Sequence, residues 1–315
     1  MGENASKIGK KLEGFWENFA DDLGWSELAR DKEIKCNRFY LHKKRTHGID
    51  LLCMFNNPYI NGNQGIIVEC KNRQMRSINK TEIEGWIEEL IYTIECAQST
   101  DEFSDLDLSD VSTQNTGLLL IHANENWNEE KFYEYLHSIT VKNRRNPINI
   151  FIAGNDRINT WTSLFAKIKS SYSEGFSFVY PSLNEYSKKL QNALTINAMF
   201  SKYLFAVSNY SVKYSNEAGE YSVPCTQKIM FFLDDICIEN FKYAWSMFKH
   251  YQMQGSSKYV FVFFPKKAGD IELVKESFIT TVKNVERERS DEIDKICIDF
   301  IDNRSISPVE YGGLS

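Results

Sequence analysis

The chain has 315 residues, 42% of them hydrophobic, which suffices for one large domain or two ordinary ones, each with its own core. Its net charge of −6 excludes a protein that coats nucleic acid over a broad basic surface, and leaves local contact through Lys43-Lys44-Arg45, Lys71 to Arg76 or Lys142 to Arg145. Seven cysteines, an odd number without CxxC spacing, sit mostly inside apolar runs. That usage argues against structural disulfides and against a zinc site. It points, with no signal segment and no run of membrane-spanning length, to a soluble, cytoplasmic protein with no membrane contact.

In chain order, Ile8, Leu12, Phe15, Trp16, Phe19 and Leu23 recur at helical spacing between a Ser6 N-cap and a Gly24 C-cap. Glu13 flanks this stripe, and Glu17 lies one turn further on. The usual fate of such glutamates is solvation. Residues 33 to 41 look like a strand. Two further apolar runs follow, one carrying Asp50 and the other ending in Glu69-Cys70-Lys71, separated by a polar turn from Asn56 to Gln64. Residues 80 to 98 read as a helix with a stripe of Ile83, Trp86, Ile87, Leu90, Ile91 and Ile94. After a polar loop from Ser99 to Asn115, strands at Gly117 to His122, Ile148 to Ala153 and Phe176 to Tyr180 alternate with helices at Glu129 to Ser138 and Trp161 to Ile168. Apolar strands in such alternation imply a mostly parallel sheet covered on both faces.

The first 180 residues thus read as one α/β domain, and Pro181 to Leu190 as a boundary. A second α/β domain occupies residues 191–315. Its strands lie at Tyr203 to Ser208, Lys228 to Leu233, Tyr259 to Phe264 and Ile296 to Ile301, and its helices at Ile238 to Tyr251 and Asp270 to Val285. Asp234-Asp235 ends one of these strands. Such a pair can bind a cation but more often signals a helix start.

The chemistry concentrates between His47 and Arg73. In a strand, residues two apart share a face, so Glu69 and Lys71 point one way while Ile66, Val68 and Cys70 point the other. If the two runs pair as a hairpin, Asp50 lies beside Glu69. Two carboxylates and an ammonium then converge, the minimum needed to hold a divalent cation against a phosphate. Glu33-Ile34-Lys35 and Glu129-Glu130-Lys131 repeat the tripeptide, but the first lacks a preceding Asp strand and the second opens a helix. The competing reading of the trio is an ordinary surface ion network, which is costly inside an apolar hairpin.

Gly9 with Glu13, Leu23-Gly24-Trp25, Gly48-Ile49-Asp50 and Val68-Glu69-Cys70-Lys71 together resemble the PD-(D/E)XK nuclease superfamily, in its Mrr-like restriction endonuclease branch, over roughly residues 6 to 98. The proline that often precedes the aspartate is absent, and the turn between Asp50 and Glu69 is longer than the shortest forms. The resemblance implies a restriction-endonuclease-like core, a mixed sheet flanked by helices, followed by the second α/β region. It implies a Mg²⁺-dependent endonuclease that hydrolyses DNA, with Mn²⁺ able to substitute. Asp50, Glu69, the Cys70 backbone carbonyl and Glu13 would be metal ligands, and Lys71 would orient water or neutralise the phosphate.

Lys43, Lys44, Arg45, Arg73 and Arg76 would contact backbone phosphates. Gln74, Gln98 and His47 are lesser candidates for supporting contacts. The layout also resembles the nuclease subunit of two-gene anti-phage defence systems. That would bring a second protein subunit encoded nearby, a C-terminal half for partner or substrate recognition, and a homodimer if both strands are cut. The alternative is a catalytically inactive module of the same fold that binds nucleic acid or a protein partner, a reading favoured by the acidic balance.

Overall fold

The computed structural model describes residues 16, 19–60, 62–103, 111–113, 115–142, 144, 146–181, 188–216, 219–286 and 291–303. The chain forms two compact units that divide between Asn159 and Thr160. Gly9, Glu13, Glu17 and Arg145 lie outside the described residues.

The first unit is built on β1 (Ser26–Lys35), β2 (Thr46–Asn56), β3 (Asn63–Arg73), β4 (Val111–Thr113), β5 (Thr116–Ala123) and β6 (Asn149–Ala153). The sheet order is β1-β2-β3-β5-β6, with β4 beside β3. The first three strands form an antiparallel meander, and β3, β5 and β6 run parallel. A mixed sheet flanked by helices is what the family resemblance implies. β5, apolar from Gly117 to Ile121, follows the expectation for a central parallel strand, and every one of its residues is buried.

The first strand and its sequel differ from expectation. β1 begins earlier than residue 33 and ends at Lys35, and Phe39–His42 is a single helical turn, α1. Among the described residues β1 pairs only with β2, and it exposes much of its length, so its polar sequence conceals it. Phe39, Tyr40 and Leu41, apolar enough to suggest a strand, are exposed.

The helix α2 (Lys80–Ala97) covers one face of the sheet. Its N-cap Asn79 accepts the Glu82 N–H at 3.1 Å, which satisfies one of the first-turn donors. Ile83, Trp86, Ile87, Leu90, Ile91 and Ile94 pack on Ile34, Ile49, Leu52, Ile67, Leu119 and Ile121. Gly117 permits this approach, because a Cβ there would stand 2.8 Å from Leu90 Cδ2 and 2.9 Å from Ile94 Cδ1. Helical residues at 16 and 19–22 precede the sheet. Trp16 meets Trp25 edge-on at 6.0 Å, and Trp25 stacks on Phe55 at 5.0 Å.

The second unit holds β7 (Ser177–Pro181), β8 (Lys188–Gln191), β9 (Tyr203–Asn216), β10 (Gly219–Phe232), β11 (Lys258–Phe263) and β12 (Ile296–Phe300) in the order β12-β11-β10-β9-β7-β8. β7 pairs antiparallel with β8 and β9 and so belongs to this sheet, although the sequence places residues 177–180 in the first domain. Nothing in five apolar residues says which sheet a strand joins. The division at Asn159 falls within the helix Asn155–Ser171, whereas the sequence places the boundary at Pro181 to Leu190. The central strands are longer than predicted. β9 and β10 form a hairpin whose outer arms are exposed, so their polar residues concealed them. Among the described residues, no helix is long and apolar enough to cross a membrane.

Candidate active site

β2 and β3 pair with Leu51 opposite Val68 and Leu52 opposite Ile67, and the same register sets Asp50 beside Glu69. Asp50 Oδ2 accepts the Cys70 N–H at 2.8 Å. Side-chain alternation puts Glu69 and Lys71 on one face of β3, and Lys71 Nζ donates to Glu69 Oε1. The side chains of Lys71 and Glu69 are only 16% and 13% exposed. A hairpin of contiguous residues thus delivers two carboxylates and one ammonium to a mostly buried position on the sheet.

The charges there are not balanced. Burial, and then the Asp50 charge, push the Glu69 carboxyl up to about 7, against the pull of Lys71. Burial also raises Asp50, although the Cys70 N–H and Lys71 oppose it. Burial alone would lower the Lys71 ammonium. The Glu69 carboxylate and its hydrogen bond, then Asp50 and Glu89, outweigh that and hold it above its ordinary value. One lysine therefore does not neutralise the pair. Two desolvated carboxylates that resist ionisation side by side suit a divalent cation, which supplies the missing positive charge through oxygen ligands.

Glu89, on α2, is a neighbour of the site that the sequence does not single out. Its charge reaches both Glu69 and Lys71, and it accepts from Lys44 Nζ at 2.7 Å. It flanks its helical stripe as Glu13 flanks another, which is the one signal that could have found it. Asp31 stands across from Asp50 in the β1–β2 register, and its charge also opposes ionisation of Asp50.

Of the basic residues, Lys44 reaches this region through Glu89. Lys43 is the left-handed C-cap of α1, with φ 55°, and is exposed together with Lys44 and Arg45. Arg73 ends β3, where it donates to the Asn72 carbonyl at 3.0 Å. Arg76 donates to Gln74 Oε1 at 2.7 Å, and Gln98 caps the end of α2. His47 is buried and faces His42 at 3.3 Å, so it belongs to a different cluster from Asp50.

No curated protein matches the chain. Residues 1–157 match the family model of the GAPS4 protein PD-(D/E)XK nuclease domain. The matched segment contains the whole hairpin, the helix α2 that covers it and all six strands of the first sheet. Sheet order, hairpin and family model agree, and residues 1–157 belong to the PD-(D/E)XK nuclease domain family of GAPS4 proteins, which supports a nuclease of defence type.

Proposed function

We propose that the chain is a Mg²⁺-dependent endonuclease that hydrolyses DNA phosphodiester bonds, with Asp50, Glu69 and Lys71 as its catalytic centre. The observation that carries the reading is the unbalanced carboxylate pair: burial raises both Asp50 and Glu69 beside one lysine, and the Asp50 charge raises Glu69 further. PD-(D/E)XK nucleases typically use divalent metals, and this donor set fits one. Asp50 and Glu69 would hold Mg²⁺, or Mn²⁺ in its place, with the Cys70 carbonyl as a further ligand and Glu13 completing the shell. The ion, when bound, polarises the phosphate and lowers the pKa of water.

The side chains have separable tasks. The Cys70 N–H fixes the Asp50 carboxylate, so its oxygens are set before substrate arrives. Lys71 holds its ammonium where negative charge grows on the phosphate, a place where a preorganised donor contributes most. Lys43, Lys44, Arg45, Arg73 and Arg76 contact backbone phosphates and set the register of the duplex. Lys44 exchanges its Glu89 partner for a phosphate. The second unit recognises a partner or the substrate, within a complex with a second protein subunit, and cutting both strands calls for a homodimer.

The test is cleavage of linear, circular and single-stranded DNA and of RNA, with and without Mg²⁺ and the neighbouring gene's product. Folded Lys71→Ala protein is expected to lose at least about 10²-fold in rate. Unchanged cleavage by that variant would sink the proposal. Retained DNA binding with no metal-dependent cleavage would instead support a non-catalytic binding module.

A further inference from the structure

A second polar cluster lies on the same sheet, outside the carboxylate hairpin. Cys36 follows β1, His42 ends α1, His47 lies near the start of β2, and Cys96 sits in the last turn of α2. One ligand atom from each lies within 4.8 Å of all the others. The two sulfurs are 3.8 Å apart, and His42 Nδ1 is 3.3 Å from His47 Nε2. Cys36 Sγ and Cys96 Sγ stand 3.4 Å and 3.5 Å from His42 Nδ1. A tetrahedral zinc with ordinary bond lengths has edges of about 3.8 Å between sulfurs, about 3.3 Å between nitrogens and about 3.6 Å between unlike ligands. The four measured edges follow those three lengths.

The hydrogen-bonding chemistry asks for an ion as well. His42 Nε2 lies 2.9 Å from Glu95 Oε2, so the ring proton belongs on that side. Nδ1 then carries a single lone pair, and three polar atoms converge on it. Protons can satisfy one of those contacts, whereas a cation accepts all four donors at once. The carboxylate behind a ligating imidazole is also the usual device for fixing its tautomer and raising its basicity. His42, His47 and Cys96 are each at most 5% exposed, where polar atoms crowded on one another are costly. Among the described residues only Cys96 Sγ has an outside acceptor, Asn37 Oδ1 at 3.2 Å, besides the Glu95 contact of His42.

We infer that Cys36, His42, His47 and Cys96 bind one Zn²⁺ in a closed, structural Cys₂His₂ site. On binding, the two thiols release their protons to solvent and the two imidazoles stay neutral, so the site carries no net charge. Four protein ligands leave no open position for a substrate. The absence of CxxC spacing argued against zinc, but here the ligands come from four different segments and meet only when the end of β1, α1, β2 and α2 pack. The ion also explains how Phe39–His42 is held. Phe39, Tyr40 and Leu41 are exposed, and His42 is the buried side chain of that turn. The zinc would staple this turn, and with it Lys43 to Arg45, to the helix that covers the nuclease hairpin.

The experiment is elemental analysis of the full chain purified without chelator, followed by replacement of the metal with Co²⁺. About one zinc per chain is expected in the wild type and in Asp50→Asn, and little in Cys96→Ser or His42→Ala. Cobalt should give thiolate charge-transfer bands and the strong d–d absorption of a tetrahedral centre. Ligand variants can fail to fold, so Glu95→Gln supplies an independent arm. It keeps all four ligands and should lower zinc affinity roughly 10–100-fold in competition with a chelating dye. Wild-type protein that holds no zinc and takes up no cobalt overturns the inference. So does zinc that disappears with Asp50→Asn and persists in Cys96→Ser.

Discussion

The two units treat their buried carboxylates in opposite ways. Among the described residues of the second unit, every such group that shifts is satisfied. Asp234 accepts from Lys202 at 2.9 Å and from Tyr203 at 3.1 Å, and its pKa is lowered despite burial. Glu286 is held low by Lys249, against burial and with help from the Trp245 indole. Asp299 is likewise lowered, because Lys167 and Tyr172 outweigh its burial. In the first unit Asp50 and Glu69 move the other way: burial outweighs the one lysine at both, with the Asp31 charge adding to it at Asp50 and the Asp50 charge at Glu69. Structural ion networks lower carboxylate pKa values because the chain has supplied each charge with partners. A site that raises two together has been left short of positive charge, and that shortage is where a ligand belongs. The contrast also disposes of Asp234-Asp235 as a cation site. Asp234 already has its partners, and Asp235 is 79% exposed beside Lys266.

The largest effect that would break this contrast is at Asp50. Asp50→Asn should reduce cleavage by at least about 10²-fold, as expected when a charged catalytic group is lost. It should also leave metal-free stability equal or higher, since a strained carboxylate has gone. Chemical denaturation beside a cleavage assay reads both, and a large loss of stability would mean that Asp50 is structural. Glu286→Ala should do the reverse. It strands the buried Trp245 indole N–H and should cost about 1–3 kcal/mol, seen as a lower urea midpoint.

A pH series sharpens the same point. Glu69 has a folded value of about 7 against an ordinary 4.5, so its raised pKa favours the folded state most when it is protonated. Without added Mg²⁺, the stability of the wild type relative to Glu69→Gln should therefore fall as pH rises from about 4.5 to about 7, then level off. A difference that grows with pH would place a net positive partner at Glu69. The smallest effect is at Lys44. Its pair with Glu89 is exposed on both sides, so Lys44→Ala should change stability by less than about 1 kcal/mol. If it contacts a phosphate, the salt dependence of DNA affinity should drop by about one counterion. An unchanged slope would remove Lys44 from the interface.

Most of the nuclease hairpin is legible in the amino-acid sequence, because its chemistry is local. Two-residue alternation puts Glu69 beside Lys71, and antiparallel pairing of neighbouring strands brings Asp50 to them. The stripe of Ile83 to Ile94 is equally plain, since one helical period sets which side chains face the sheet. Glu89 is harder, because a glutamate on a helix flank looks the same whether it faces solvent or a buried lysine. The outer arms of β9 and β10 escape notice because both of their faces are wet, and an exposed strand has no reason to alternate.

Neighbouring residues are enough to settle the α/β class, the stripes of the helices, and a carboxylate–lysine hairpin of the nuclease kind. The folded chain was needed to choose which sheet receives Ser177–Pro181, and to bring Cys96 to Cys36, His42 and His47 across some sixty residues of chain. The physical reason is the same in both cases. Periodicity and register act over a few residues and are written in them, whereas strand order and the docking of a helix are chosen by the whole core. A ligand set assembled by that choice leaves no spacing for a motif to record.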